Sequence, residues 1–368
     1  MIYFLGRFLH PRYEPLSFLR LVEYLSARSI GAALTAIILV LIITPRFIWY
    51  LHRRAFVDQL RDTGIPSSFD KAGTPVMGGA VLLGAVLVSC VLWCNLANRY
   101  LLVLIAGMVW FGLIGLSDDW TKMVARSGDR GLSEGRKLLL QGMFAAALAL
   151  LVVGPYSPLP PNQADAFFVP FLKAPLFHSV WLCLPVIFLF VMVVCNSVNI
   201  TDGLDGLAIV PSVFVIGVLG VFGYLMGNAI WAHYLNYPFF PGAGELAVFC
   251  SAFVGAGIGF LWFNSYPAQI FMGDTGSLSI GGSMAVLCVL LKQEVLFLIL
   301  GGLFIAEAAS SQIQDKIGIR WLGRRIFYRA PLHHQMQHKG LAETKVVIRL
   351  WIVAGILALA ALATLKLR

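Results

Sequence analysis

Residues 101–120 read LLVLIAGMVWFGLIGLSDDW, an uncharged apolar run to Leu116 that stops at Ser117 and two adjacent acids, Asp118 and Asp119. A bilayer core about 30 Å thick takes about 20 apolar residues of helix, with roughly 17 to 25 tolerated. A helix that is apolar all round is buried in a large core or in lipid. The stretch therefore reads as a membrane span with a carboxylate pair at its end.

The same pattern recurs along the chain. Runs near Ile30 to Trp49, Val76 to Trp93, Leu101 to Leu116, Leu138 to Val153 and Val180 to Val198 are followed by others. These lie near Leu207 to Met226, Leu246 to Phe263, Leu278 to Leu291, Val295 to Ala309 and Leu350 to Leu365. Hydrophobic residues make up 59% of the 368 and charged ones 12%, which excludes a soluble globular protein. The expected fold is an all-α integral membrane protein with about ten transmembrane helices in one polytopic domain, residues 1–368. Pro185 and Pro211 interrupt two runs, as membrane helices permit. Gly255 and Gly259 form a small-xxx-small pair that predicts close helix packing.

Charge sets the orientation. Arg53, Arg54, Arg61 and Lys71 fall in the first connection, and Lys122, Arg126, Arg130, Arg136 and Lys137 in the third. The ninth holds Lys316, Arg320, Arg324, Arg325, Arg329, Lys339 and Lys345, whereas the even connections offer only Arg99, Lys173 and Lys292. By the positive-inside rule the odd connections are cytoplasmic and both termini lie outside. Arg7, Arg12, Arg20 and Arg28 in the N-terminal tail pull the other way.

The net charge of +9 is carried by residues flanking spans, so lipid headgroups explain it and nucleic acid is not expected. All six cysteines lie in or beside apolar runs without metal-type pairing, Cys90 and Cys94 included, and read as small apolar fillers. Residues 1–29 read as an interfacial segment rather than a cleavable signal. Residues 154–178 form a proline-rich external loop. Residues 312–345 form a cytoplasmic loop in which Ile317 to Tyr328 has the composition of a helix lying along the membrane surface.

Acids are scarce, 18 in the whole chain, yet Asp118, Asp119, Asp202, Asp205 and Asp274 all sit at span ends assigned to the cytoplasmic side. Adjacent carboxylates repel unless a cation joins them, so Asp118 and Asp119 read either as a Mg²⁺ site or as a water-exposed helix cap. In Asn199-Ile-Thr-Asp-Gly-Leu-Asp-Gly206, Asn199 and Asp202 can share a helix face while the glycines allow close approach to a ligand. Asp274, in Phe271-Met-Gly-Asp274, is either a site acid or the cap of the following helix. Phe271 can stack on a planar ring or simply pack. Pro331-Leu-His-His334 and His338 gather three of the seven histidines, as phosphate or metal partners or as incidental loop residues. Lys71 with Thr74, Pro75 and Val76 supplies a cation and flexible backbone, and Glu307 and Gln314 mark the end of the ninth run.

Together these residues resemble the polyprenyl-phosphate N-acetylhexosamine-1-phosphate transferases, and among them the phospho-N-acetylmuramoyl-pentapeptide transferase branch. The resemblance runs from about Leu34 to Trp351. It rests on Gly73-Thr-Pro-Val-Met-Gly-Gly79, Asp118-Asp119, Asn199 to Gly206, Phe260-Leu-Trp-Phe-Asn264, Met272-Gly-Asp274 and Pro331-Leu-His-His334. It implies a ten-helix homodimer in the bacterial cytoplasmic (inner) membrane with a cytoplasmic, Mg²⁺-dependent site. The implied reaction moves phospho-MurNAc-pentapeptide from UDP-MurNAc-pentapeptide to undecaprenyl phosphate, giving lipid I and UMP. It casts Asp118, Asp119 and Asp274 as catalytic and metal-site acids and His333 as catalytic. Lys71, Thr74, Val76, Asn199, Asp202, Gly203, Leu204, Asp205 and Phe271 then bind substrate, and Gln314, Ala330, His333 and His334 line the same cleft.

The chain departs from that pattern at Gln335, where a third histidine is usual, at Gln337, where Glu is usual, and at Asp315, where an apolar residue is usual. A sister enzyme moving GlcNAc-1-phosphate is the nearest alternative, and the His333–Gln337 region and Lys345-Val-Val-Ile-Arg349 favour the muramoyl branch. An ion-coupled transporter would carry mid-membrane acids in broken repeat helices, and neither is read here. A lipid-binding scaffold would not gather five acids on one side.

Overall fold

The computed structural model describes residues 1–9, 20–54, 73–125 and 131–367. Lys71, and with it the cation expected beside Thr74, lies outside the described residues. Each apolar run becomes a helix because no backbone donor or acceptor can go unpaired in lipid. After the short α1 (Ile2–Leu9) come α2 (Leu25–Arg53), α3 (Gly78–Trp93), α4 (Arg99–Val124) and α5 (Glu134–Val153). A short α6 (Pro161–Ala164) and a strand pair, β1 (Ala166–Phe167) with β2 (Phe177–His178), form the loop before α7 (Val180–Thr201). Then follow α8 (Ile209–Met226), α9 (Ala229–Tyr234), α10 (Glu245–Asn264), α11 (Gly273–Leu290), α12 (Phe297–Leu300) and α13 (Gly302–Gln312). The last elements are α14 (Leu332–His338) and α15 (Glu343–Ala363).

Among the described residues, 8 helices are long and apolar enough to cross a membrane: α2, α4, α5, α7, α8, α10, α11 and α15. The protein is an all-α integral membrane protein. The second expected run forms α3, of 16 residues, and the ninth divides at Gly301 into α12 and α13. Proline interrupts α2 at Pro45 and α7 at Pro185 without ending either helix. Side chains of Asn98 and Ser179 accept the Leu101 and Leu182 N–H groups that open α4 and α7.

Helix α11 is the axis: every residue from Thr275 to Leu290 is buried. Without a hydrophobic drive between helices in lipid, close contact depends on small residues. A Cβ on Gly79 would lie 2.2 Å from the Gly276 nitrogen, and one on Gly115 would lie 2.1 Å from the Asp274 carbonyl oxygen. Helices α3 and α4 thus press backbone to backbone on the start of α11. The expected packing at Gly255 and Gly259 is also present, against Ala33 and Val40 of α2. The outer helices face lipid with rows such as Ile348, Ile352, Ile356 and Leu359 on α15.

At the end of the bundle away from the acids, Arg28 makes a bidentate pair with Glu245 at 2.7 and 2.8 Å, both buried. One of the N-terminal cations that opposed the orientation is therefore neutralised inside the protein. Buried Lys292 donates to the Ala164 carbonyl at 2.7 Å and latches the loop of residues 154–178 onto the same end.

The expected surface helix over Ile317 to Tyr328 takes a different form. Helix α13 runs on as a π-helix, Ile313–Trp321, and residues 322–331 are not helical. The Gln314 side-chain oxygen accepts the Ile326 and Phe327 N–H groups at 3.0 and 2.9 Å, folding the chain back after Gly323.

Candidate active site

Asp118 and Asp119 lie within α4, not in a connection beyond it. The helix continues past Leu116 to Val124 and buries both acids, so the reading of an exposed cap does not hold. What makes this tolerable is pairing, since an uncompensated buried charge costs several kcal/mol. Lys122, one turn on, places Nζ 2.6 Å from Asp118 Oδ2, and Lys137 of α5 places its own at 2.9 Å. The same two ammonium groups reach Asp274 Oδ2 at 3.0 and 2.7 Å. Asp118 Oδ1 accepts the Leu132 N–H at 2.7 Å, which ties the approach to α5 onto the pair.

Asp119 faces the start of α11. Its Oδ1 accepts the Asp274 N–H at 3.0 Å, and Oδ2 accepts the Thr275 N–H and hydroxyl at 2.9 and 2.6 Å. These are orphan donors of a helix N-terminus, satisfied here by an acid from another helix. Asp274 is therefore not the cap of its own helix; its side chain is released toward the lysines. Gly273, with φ +74, leaves room for this, since a Cβ there would meet Asp119 Oδ2 at 2.6 Å.

Asn199, in the last turn of α7, donates to Asp274 Oδ1 and to the Ser277 hydroxyl at 2.9 and 2.8 Å. The helix then ends at Thr201, so Asp202 follows the helix instead of sharing a full turn with Asn199. Burial, with Asp274, Asp119 and Asp205 around it, pushes Asp202 up to about 8, although the side chain keeps some contact with solvent. Gly203 is exposed and Leu204 is buried beside it. Asp205 is buried, not presented to the cleft: its Oδ2 accepts the Ala268 N–H at 3.0 Å and its own N–H meets Glu343 at 3.2 Å. It holds the segment that leads to Phe271, which is half-buried.

Thr74 and Val76 flank Pro75, whose segment is tied to the start of α11 through the backbone, and a Cβ on Gly273 would lie 3.0 Å from the Val76 side chain. Phe271 donates to the Pro75 carbonyl, and Gly78 and Gly79 donate to the Phe271 and Met272 carbonyls, all between 2.8 and 2.9 Å. His333 is buried beside the 202–206 loop: a Cβ on Gly203 would lie 2.4 Å from its Nε2. The His334 ring lies tilted beside it, 4.3 Å between ring centres, and hydrogen-bonds Gln337 through Nδ1 at 3.1 Å. Burial, then the neighbouring His333, holds His334 below the usual imidazole range. Gln335 accepts the Arg329 N–H at 2.9 Å, so the residue standing where a third histidine was expected braces the turn containing half-buried Ala330. Gln314 is buried with its oxygen engaged by backbone, as described above.

The structure thus gathers the ends of α4, α7 and α13 and the starts of α5 and α11 at one end of the bundle. Lys122 and Lys137 were not among the expected site residues. Lys122 carries a local signal, four residues after Asp118; Lys137 carries none, since its partners are far away in the chain.

A metal ion fits this set. Oxygens of Asp118, Asp119 and Asp274 lie within 4.8 Å of one another, a grouping of hard oxygen donors suited to Mg²⁺. Three carboxylates against the two lysines leave a formal negative excess for a cation. A family model described as glycosyl transferase family 4 matches residues 101–292, just over half of the chain. The matched segment contains the acids and lysines of this cluster and stops before Glu307, His333 and His334.

Proposed function

The chain belongs to glycosyl transferase family 4, membrane phosphoglycosyl transferases, and we propose that it moves phospho-MurNAc-pentapeptide from UDP-MurNAc-pentapeptide to undecaprenyl phosphate. The products are lipid I and UMP, the setting is peptidoglycan synthesis at the bacterial inner membrane, and the working unit is a homodimer. The observation that carries the transfer chemistry is the junction of Asp118, Asp274, Lys122 and Lys137. The basic odd-numbered connections support a cytoplasmic site, and the ordered motifs from Gly73 to His334 support the muramoyl branch.

The chemical difficulty is bringing two anions together. One phosphoanhydride replaces another, so little net driving force is needed and electrostatic preorganisation dominates. Lys122 and Lys137 present two fixed cations to the incoming phosphates, held in place by Asp118 and Asp274. Asn199 orients Asp274, and Asp119 anchors the helix that carries it. Asp118, Asp119 and Asp274 would hold Mg²⁺, which when bound supplies further charge neutralisation to the diphosphate. A phosphate monoester with its second pKa about 6 is mostly dianionic at neutral pH. An oxygen of the lipid phosphate therefore attacks the sugar-side phosphorus directly; its bond to the bridging oxygen breaks, and UMP leaves with that oxygen. Asp202, Gly203, Leu204 and Phe271 form the nucleoside side of the cleft, with Thr74 and Val76 beside it.

Purified protein supplied with Mg²⁺, undecaprenyl phosphate and either UDP-MurNAc-pentapeptide or UDP-GlcNAc tests the donor. UMP release with the first alone is expected. Release with UDP-GlcNAc alone would move the protein to the sister activity.

A further inference from the structure

We propose that Glu307 is a positioning residue that fixes the hydrogen-bonding state of His333, leaving Nε2 as the ring nitrogen turned toward the substrate cleft. The role rests on reading that cleft as a phosphoryl-transfer site. Glu307 is 0% exposed in α13 and His333 is 1% exposed in α14, so the pair is shielded from water on both sides. A carboxylate in such a place is costly unless it is paired and hydrogen-bonded. Glu307 Oε2 meets this with two contacts to one residue: it accepts the His333 backbone N–H at 3.3 Å and lies 3.0 Å from His333 Nδ1.

The double contact matters. A backbone N–H only donates, so Oε2 faces His333 as an acceptor, and the ring answers with Nδ1–H. In the neutral ring the other nitrogen, Nε2, then carries the lone pair. That nitrogen has no hydrogen-bond partner among the described residues. It lies against Gly203, where only the missing side chain allows so close an approach: a Cβ would stand 2.4 Å away. Gly203 is exposed and follows Asp202 on the segment that lines the cleft. Nε2 is buried against Gly203, so a phosphate oxygen meets it when the 202–206 segment moves aside; the ring, protonated on both nitrogens, then donates Nε2–H to that oxygen, and Glu307 balances the positive charge. Carboxylate partners of this kind, where they orient histidines in metal sites, are worth roughly 10- to 100-fold in function.

The test uses the full-length protein in detergent. In ¹⁵N-histidine spectra at alkaline pH, wild type and Glu307→Gln keep protonated Nδ1 on His333, because the amide oxygen still accepts both contacts, whereas Glu307→Leu gives mixed tautomers. A wild-type ring protonated on Nε2 overturns the proposal, whatever reaction the enzyme performs. In turnover assays Glu307→Gln lowers kcat roughly 10- to 100-fold with little change in donor KM, and in a His333→Ala background the same substitution changes turnover less than about twofold. Equal losses in both backgrounds would show that Glu307 does not act through His333. A wild-type protein that releases no UMP from any donor would sink the transfer reading and leave the spectroscopic result standing.

Discussion

Lys137 Nζ lies 2.7 Å from Asp274 Oδ2, joining the start of α5 to the start of α11 across the bundle. The same ammonium touches Asp118, so one side chain holds together acids from two helices. Losing it leaves Lys122 as the one cation on both acids among the described residues, beside the Asn199 and Leu132 hydrogen bonds.

Lys137→Met should therefore cut turnover by about a hundredfold or more, the scale seen when one preorganised electrostatic contact is removed from a transfer site. Lys137→Arg should recover part of the loss. Steady-state UMP release checks both, and a Lys137→Met enzyme of normal rate would remove the lysine from the mechanism.

Gly115→Ala should destabilise the protein by about 1–3 kcal/mol through overpacking. Its Cβ would stand 2.1 Å from the Asp274 carbonyl oxygen and push α11 away from α4. Gly84→Ala is the matched control, since nothing lies within 4 Å of a Cβ there. Thermal unfolding in detergent should separate the two; equal midpoints would contradict the close contact.

Asp119→Ala should cost more stability than Asp119→Asn. The alanine strands the Asp274 and Thr275 N–H groups, and each buried orphan donor costs about 1–3 kcal/mol, while asparagine keeps one accepting oxygen. The order of unfolding midpoints, wild type above Asn above Ala, checks it.

Asp202, raised to about 8, is protonated at neutral pH and, in the proposed nucleoside side of the cleft, would present a donor. The group's pKa is raised, so the neutral form is present below that value and is lost as pH climbs through it. Donor KM should accordingly rise above pH about 8 in wild type, and Asp202→Asn, which has no proton to lose, should flatten that rise. An unchanged KM profile in Asp202→Asn would assign the titration elsewhere.

Much of this arrangement was legible in the chain. Uninterrupted apolar runs such as Leu101 to Leu116 mark their helices because lipid leaves the backbone no other partner. The acids at 118, 119 and 274 stood out as rare charges in an apolar sequence. What could not be read was who meets whom. Asp119 and Asp274 read alike as acids at helix ends, yet one caps the other's helix, a relation set by the approach of α4 to α11 through Gly115. Asp205 resembled Asp202 in sequence but is turned inward to Ala268, because the segment after α10 needs an acceptor there. The helix expected over Ile317 to Tyr328 stops at Trp321, and beyond it Gln314 takes the Ile326 and Phe327 N–H groups that a continuing helix would have used.

The junction of Asp118 and Asp274 with Lys122 and Lys137 is most directly tested by following transfer of labelled sugar phosphate to undecaprenyl phosphate as Mg²⁺ is titrated into wild type and Asp274→Asn. Wild type should show Mg²⁺-dependent transfer, abolished by chelation, while Asp274→Asn stays folded and fails at every Mg²⁺ concentration. Normal transfer by folded Asp274→Asn, or wild-type transfer indifferent to chelation, would contradict the assignment of this junction as the transfer centre.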